Sequence, residues 1–284
     1  MSRIVYVNGV YVPEGEAKVS VFDRAFLFGD AVYEVTAVLD GRLVDFDAHL
    51  ARLDRSLREI ALNPPMEHEG LREVHEELIR ENKVDEGIVY LEISRGAADR
   101  DFLYPEAAQP TVVAFTQVRA LLDNPYVATG VKVITIPDIR WKRRDIKSTA
   151  MLGQAMGKQA AKLKGAYEAW MVEDGHVTEG TSSSAFILDA EGVLRTQPLG
   201  PHILPGVTRR AVLRLAGQET LRAEERPFTV EEAYQAREAF LTAASAFVLP
   251  VVEIDGRKIG DGKPGPITRA FRRLYIDEAR KSPA

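Results

Sequence analysis

Apolar and polar positions alternate along IVYV (4–7) and VYV (10–12), and between them stands Asn8-Gly9, a pair suited to the left-handed residues of a two-residue hairpin turn. Asp40-Gly41 repeats the device between VYEVTAVL and RLVDF, predicting a second hairpin. The period then changes. Leu50, Leu53, Leu57 and Ile60 recur at three- and four-residue spacing, which predicts an amphipathic helix with Asp47 as its N-cap. EGLREVHEELIREN predicts another helix, and the β-rich IVYLEIS and TVVAFTQV two strands. Periodicity lapses from Ala120 to Gly130 around Asp-Asn-Pro, as expected of a linker. Beyond it strands and helices alternate: VKVITI, a helix from Ser148 to Lys164, YEAWMV, AFIL, a helix after Pro205 that Gly217 could end, FLTA, VLPVVEI, and a last helix over 266–280 followed by a polar tail. The expected organisation is a small α+β domain (1–120), a linker (121–130) and a larger α/β domain (131–284).

Composition narrows the class. With 284 residues, 45% hydrophobic and 28% charged, the chain is globular and large enough to hold its core without staples. Cysteine is absent, which excludes disulfides, thiolate metal sites and cysteine nucleophiles, and no metal site is expected. MSRIVYVNG has neither the basic start nor the apolar core of a signal peptide, and no apolar run approaches a membrane span, so a cytoplasmic chain without membrane association is expected. The net charge of −5 provides no chain-wide field for nucleic acid.

Three segments carry chemistry. IRWKRRDIK, from Ile139 to Lys147, holds five basic residues and one acid; alone it suggests a solvated surface, except that Lys147 precedes an apolar stretch expected to be helical. A lysine at such an entrance can lose its proton through desolvation and become a carbonyl nucleophile. HVTEGTSSSAFIL places Glu179, a glycine and four hydroxyls between two expected strands, where the plain alternative is a hydrophilic loop satisfying its own backbone. ILPGVTRRAVLRLAG sets Pro-Gly before a helix, so the N–H groups of Val207 and Thr208 could hold a phosphate, as many helix starts could.

Taken together and in order, HLARL (49–53), DIKS, YEA, VTEGTSSS and ILPGVTR resemble the fold-type IV pyridoxal-phosphate aminotransferases, over nearly the whole chain and most closely those acting on D-amino acids. The resemblance implies two domains with the active site between them. It implies pyridoxal 5′-phosphate held by Lys147 as a Schiff base, with Lys147 also moving the proton, and Glu179 facing the pyridine nitrogen. Arg52, Val207, Thr208 and the backbone at Ala244 would serve the phosphate, although relatives commonly have a threonine where Ala244 stands, and Ser182 is expected among the cofactor-binding residues. Tyr33 falls at the family's active-site tyrosine, and Tyr90 is expected beside the substrate. In RGAADRDFLYP (95–105), Arg100 falls on the arginine that traps the α-carboxylate, while Phe102 replaces the usual histidine, with Arg95 nearby as a stand-in.

The resulting expectation is ping-pong transfer of an amino group from a D-amino acid to a 2-oxo acid, by a homodimer. The open alternatives are an (R)-amine or branched-chain L-amino acid transaminase, an aminodeoxychorismate lyase, and a non-catalytic carrier of the cofactor.

Overall fold

The computed structural model describes residues 2–281, and its contacts divide them into two units. The first comprises residues 2–120 and Ile146–Ala150; the second comprises Leu121–Asp145 and Met151–Lys281.

The first unit is a six-stranded antiparallel sheet with its two long helices on one face. Its elements are β1 (Ile4–Val7), β2 (Val10–Pro13), α1 (Arg24–Phe28), β3 (Ala31–Leu39), β4 (Arg42–Leu43), α2 (Phe46–Glu59), α3 (His68–Asn82), β5 (Gly87–Ser94) and β6 (Thr111–Val118), with strand order β2-β1-β6-β5-β3-β4. Both expected hairpins form, with Asn8, Gly9, Asp40 and Gly41 all at positive φ. Leu50, Leu53 and Leu57 of α2 and Leu71, Val74 and Leu78 of α3 bury against Val32, Val38, Val89, Leu91 and Ile93. Strand alternation sends Tyr33 the other way, to the face that carries Tyr90 and Phe115.

The second unit is a mixed sheet. It comprises α4 (Tyr126–Thr129), β7 (Val131–Pro137), α5 (Leu152–Leu163), β8 (Glu168–Glu173), β9 (His176–Gly180), β10 (Ser184–Leu188), β11 (Leu194–Thr196), α6 (Val207–Gln218), β12 (Ala223–Glu225), α7 (Val230–Tyr234), β13 (Glu238–Ala243), β14 (Phe247–Ile254), β15 (Arg257–Lys258) and α8 (Pro266–Ala279). The order is β12-β11-β10-β13-β14-β7-β8-β9, with β15 on β14 and parallel pairing at β14/β7, β7/β8 and β11/β12. One core gathers Trp170, Ile187, Leu249, Val251 and Phe228, while Phe186, Phe240 and Phe271 form a second aromatic layer.

Several expectations are corrected. Helix α2 starts at Phe46 with Asp45, in a left-handed conformation, at the N-cap position, and no side chain caps it. The expected linker belongs to the second unit: Leu121 is buried, and Arg272 of α8 donates to the carbonyls of Leu121 and Leu122. The helix expected from Ser148 starts only at Leu152, because residues 146–149 pair with β3 instead. Gly217 lies inside α6. Glu179 and Gly180 end strand β9 and are not in a hydrophilic loop. The tail beyond Lys281 lies outside the described residues. No helix among them is long and apolar enough to cross a membrane.

His75 of α3 is fully buried, edge-on to Phe46, with Nδ1 2.7 Å from the Leu71 carbonyl; burial pushes its pKa down to about 4. The unfolded chain therefore takes up a proton between about pH 6.5 and pH 4 that the folded chain refuses. Stability should be complete above that window and fall as pH drops through it, by up to about 3 kcal/mol at roughly 1.4 kcal/mol per tenfold change in proton affinity. Urea unfolding of His75→Leu across pH 4–7 should show this arm flattened; an unchanged arm would mean that His75 already titrates normally.

Candidate active site

Lys147 takes its position from backbone pairing. Tyr33 N–H donates to the Lys147 carbonyl at 3.0 Å and Thr149 N–H to the Ala31 carbonyl at 3.0 Å, so residues 146–149 run as a short strand beside β3. Ile146 is buried in the first unit's core and the hydroxyl of Ser56, on α2, accepts from Lys147 N–H at 3.3 Å. The half-buried lysine side chain then rises over Tyr33, its Nζ 4.1 Å from the ring centre. Tyr33 stacks on Tyr90 at 5.5 Å, and Tyr90 on Phe115 at 4.8 Å. Lys147, Tyr33 and Tyr90 thus meet in one unit despite their separation in sequence.

On the opposite face of β3, Glu34 is the buried partner of Arg52: Nε and Nη2 donate to its two oxygens at 2.8 and 2.7 Å, and His49 Nδ1 lies 2.7 Å away. Burial raises the Glu34 pKa, but the Arg52 charge and hydrogen bonds, aided by His49, hold it well below the ordinary carboxylate range. The Arg52 fork is therefore oriented by protein, which sequence alone did not disclose; Glu34 falls on the helix-facing side of an alternating strand, where an apolar residue is the usual occupant.

In the second unit, Glu179 is buried at the end of β9. Its Oε1 lies 2.5 Å from Arg140 Nη1, and its Oε2 accepts from Leu204 N–H at 3.1 Å. Burial raises its pKa, and the Arg140 charge opposes that rise. Arg140 is fixed from behind by Asp138, at 2.9 and 2.7 Å, and Thr178 donates to the same carboxylate at 2.7 Å. The basic cluster is thus only partly solvated: the Arg140 and Arg144 side chains are 5% and 1% exposed, because Asp138, Glu173 and Glu179 neutralise them. Those partners lie up to 39 residues away, beyond the reach of a local charge count.

Val207 and Thr208 open α6, whose N-cap, Gly206, offers no side chain, and whose first turn has no acid. A Cβ on Gly206 would stand 2.8 Å from Ser184 Oγ. Among the described residues Thr208 Oγ1 is buried without a partner, as is Thr242 Oγ1 on β13, the register partner of Ser184 on the adjacent strand. An uncapped helix start and unused hydroxyls suit a phosphate. Ala244 lies in the turn after β13, braced by Arg272, which donates to the carbonyls of Ala246 and Val248 at 2.9 and 3.1 Å; the turn ends at Phe247, buried at φ 59°. Such strain in a bulky residue costs of order 1–3 kcal/mol and persists only under bracing of this kind. Ser182 is held by a carboxylate of the same unit. Its hydroxyl and N–H both donate to Glu168 at 2.8 Å, because that fully buried carboxylate draws donors from Thr181, Ser182 and Ser183 together.

Arg100 and Phe102 are exposed in the loop after β5. The Arg100 guanidinium lies 5.4 Å from the ring centre of Phe28 and 5.5 Å from that of Phe102. Arg95 does not stand in for it: buried, it donates to both oxygens of Asp30 and to the carbonyls of Ile60 and Ala61.

The family model for class IV amino-transferases matches residues 31–254. The D-alanine aminotransferase of Staphylococcus aureus (strain MSSA476) is 38% identical over 274 residues, covering 95% of this chain and 96% of that one. The Bacillus licheniformis D-alanine aminotransferase is 39% identical over 98% and 99% of the two chains. The solved structure of the Thermoproteus uzoniensis branched-chain aminotransferase superposes with a TM-score of 0.88 at 29% identity, covering 98% and 95%. The Escherichia coli branched-chain enzyme gives 0.89 at 22% identity over 98% and 94%, a likeness of fold.

Removing Arg140 leaves two carboxylates buried without their main counter-charge. Arg140→Met should cost about 3–5 kcal/mol of stability, and adding Glu179→Gln should recover at least about 1 kcal/mol, because the desolvated charge is removed. A denaturant-unfolding double-mutant cycle measures both; additive losses would show that the pair does not interact.

Proposed function

The chain belongs to the class IV aminotransferases, and from that premise we propose that it moves an amino group from a D-amino acid to a 2-oxo acid in two half-reactions, with pyridoxal 5′-phosphate as cofactor, as a cytoplasmic homodimer. The observation that carries the reading is the Lys147 amine held over the Tyr33 ring. When bound, the cofactor supplies an aldehyde that takes up the donor nitrogen and an electron-withdrawing ring.

The protein's part is binding, orientation and proton handling. With the cofactor bound, the Lys147 amine would hold its aldehyde carbon and would serve as the base that carries the donor's Cα proton. Glu179, raised in pKa by burial and opposed in that by the Arg140 charge, would face the ring nitrogen and share its proton. The α6 N–H groups of Val207 and Thr208, the Thr208 hydroxyl, the turn at Ala244 and Arg52 hold the phosphate. Ser182 supports this region through Glu168, without a free hydroxyl proton of its own. Arg100 takes the α-carboxylate, and Tyr33 and Tyr90 flank the substrate. The D-alanine aminotransferase names of relatives at 38–39% identity favour a D-amino acid. Phe102 beside Arg100 favours the second reading, an (R)-amine or branched-chain donor, since it adds apolar surface where a carboxylate would otherwise find a second partner.

Borohydride treatment should attach the cofactor covalently to Lys147, found by peptide mass spectrometry, and Lys147→Ala should turn over negligibly while still binding cofactor. A label on another lysine would overturn the assignment. Arg100→Ala should slow D-amino acid half-reactions by about tenfold or more and leave an (R)-amine within about twofold, because only the acid loses a charge-assisted partner. Parallel losses for the acid and the amine would place Arg100 outside carboxylate recognition. A panel of D-amino acids, L-amino acids and (R)-amines decides between the two readings.

A further inference from the structure

The face of the first unit's sheet that carries Tyr33 also carries a cavity of about 400 Å³. Tyr90 and Phe115, stacked at 4.8 Å, form one wall, and the exposed ring of Phe26 stands at the rim with Lys18. Two carboxylates line it. Glu92, directly opposite Tyr33 in the β3–β5 register, accepts a hydrogen bond from the Tyr90 hydroxyl at 2.7 Å. Asp23 is only 2% exposed: its Oδ1 caps α1 by accepting from Ala25 N–H at 2.8 Å, while its buried Oδ2 has no partner among the described residues. The Glu92 pKa is raised, by burial first and by the Asp23 charge as well, against the hydrogen bond from Tyr90.

We propose that this cavity binds an organic cation, the guanidinium or alkylammonium end of a donor side chain, between Glu92, Asp23 and the faces of Tyr90 and Phe115. An anion would meet two carboxylates. A neutral apolar group would leave Asp23 Oδ2 desolvated and unpaired, a costly arrangement. A cation satisfies the orphaned oxygen, separates the like charges and gains attraction from the aromatic faces. Opposed residues on neighbouring strands lie about 5 Å apart, so a group bound at Glu92 is within a side chain's length of Tyr33. The link from the cavity to the donor rests on the proposed function, through Tyr33; binding of the cation does not.

The test uses the full-length holoenzyme and n-butylguanidinium, which lacks a primary amine and so cannot act as a donor, with neutral n-butylurea as control. Calorimetry should show the cation binding at least about tenfold more tightly than the urea. Glu92→Gln should remove the preference and Glu92→Asp should retain it, with thermal melts confirming that both variants fold. In turnover, the ratio of kcat/KM for D-arginine to that for D-norvaline should fall at least about tenfold in Glu92→Gln. Equal affinities in the wild type, or a preference that survives Glu92→Gln, would overturn the site. Cation binding through Glu92 with neither D-amino acid turned over would support the site and count against the D-amino acid reading; turnover without any cation preference would overturn the site alone.

Discussion

Two backbone hydrogen bonds between β3 and the segment 146–149 hold the first unit's chemistry together. Alternation along the inserted strand buries Ile146 and Ser148 and leaves Lys147 half-buried beside Tyr33. A lysine has four rotatable bonds, and a freely tethered amine would spend most of its time elsewhere; fixing its root on a sheet removes much of that cost before any ligand arrives. The same strand sends Tyr33 to one face and Glu34 to the other, where Glu34 orients Arg52. One pairing register thus fixes the aromatic platform, the amine over it and the arginine behind.

Buried charge is the second organising constraint. An isolated ion inside a protein is costly, and around Arg52 and Glu179 the charges are matched: Glu34 by Arg52 and His49, Asp138 and Glu179 by Arg140, and Arg144 by Glu173. Such networks contribute little net stability compared with apolar packing, which makes their concentration around Glu179 and Arg52 informative. Their return is preorganisation: charges held in a water-poor setting need not rearrange when a charged ligand binds or reacts. Glu179 shows the balance, since its burial favours the neutral acid and its arginine favours the anion.

Much of this was legible in the residues, and the limits have physical causes. Local patterns predicted both hairpins, the helix of Leu50, Leu53 and Leu57, and the strand and helix succession after residue 130, because period and turn chemistry are local properties. The strand at Lys147 was missed: four residues carry too little alternation to oppose the apolar run behind them, and their partner strand lies more than a hundred residues earlier. Arg140 and Arg144 passed for solvated cations because the carboxylates that allow their burial arrive later in the chain. Ser182 reads from the motif as a cofactor-binding hydroxyl, and only the buried Glu168 beneath it shows where its donors go. Glu92 is a polar position on a strand whose two faces look equally plausible from sequence.

The loop bearing Arg100 and Phe102 joins a braced backbone to exposed side chains. Arg24 donates to the carbonyls of Asp101 and Leu103 at 2.7 and 3.3 Å, Asp101 accepts from Leu103 N–H, and Arg95 lies 3.6 Å from the Tyr104 ring centre. The loop backbone is thus secured by buried arginines that Asp30 itself pairs, while the side chains of Arg100 and Phe102 remain in solvent. Exchanging an exposed side chain on a braced loop alters recognition at little cost to stability, because no core contact is lost and the backbone needs no rearrangement. Recognition therefore varies most cheaply where the backbone is fixed and the side chains are free, and Phe102, 77% exposed on this loop, stands at a position of that kind.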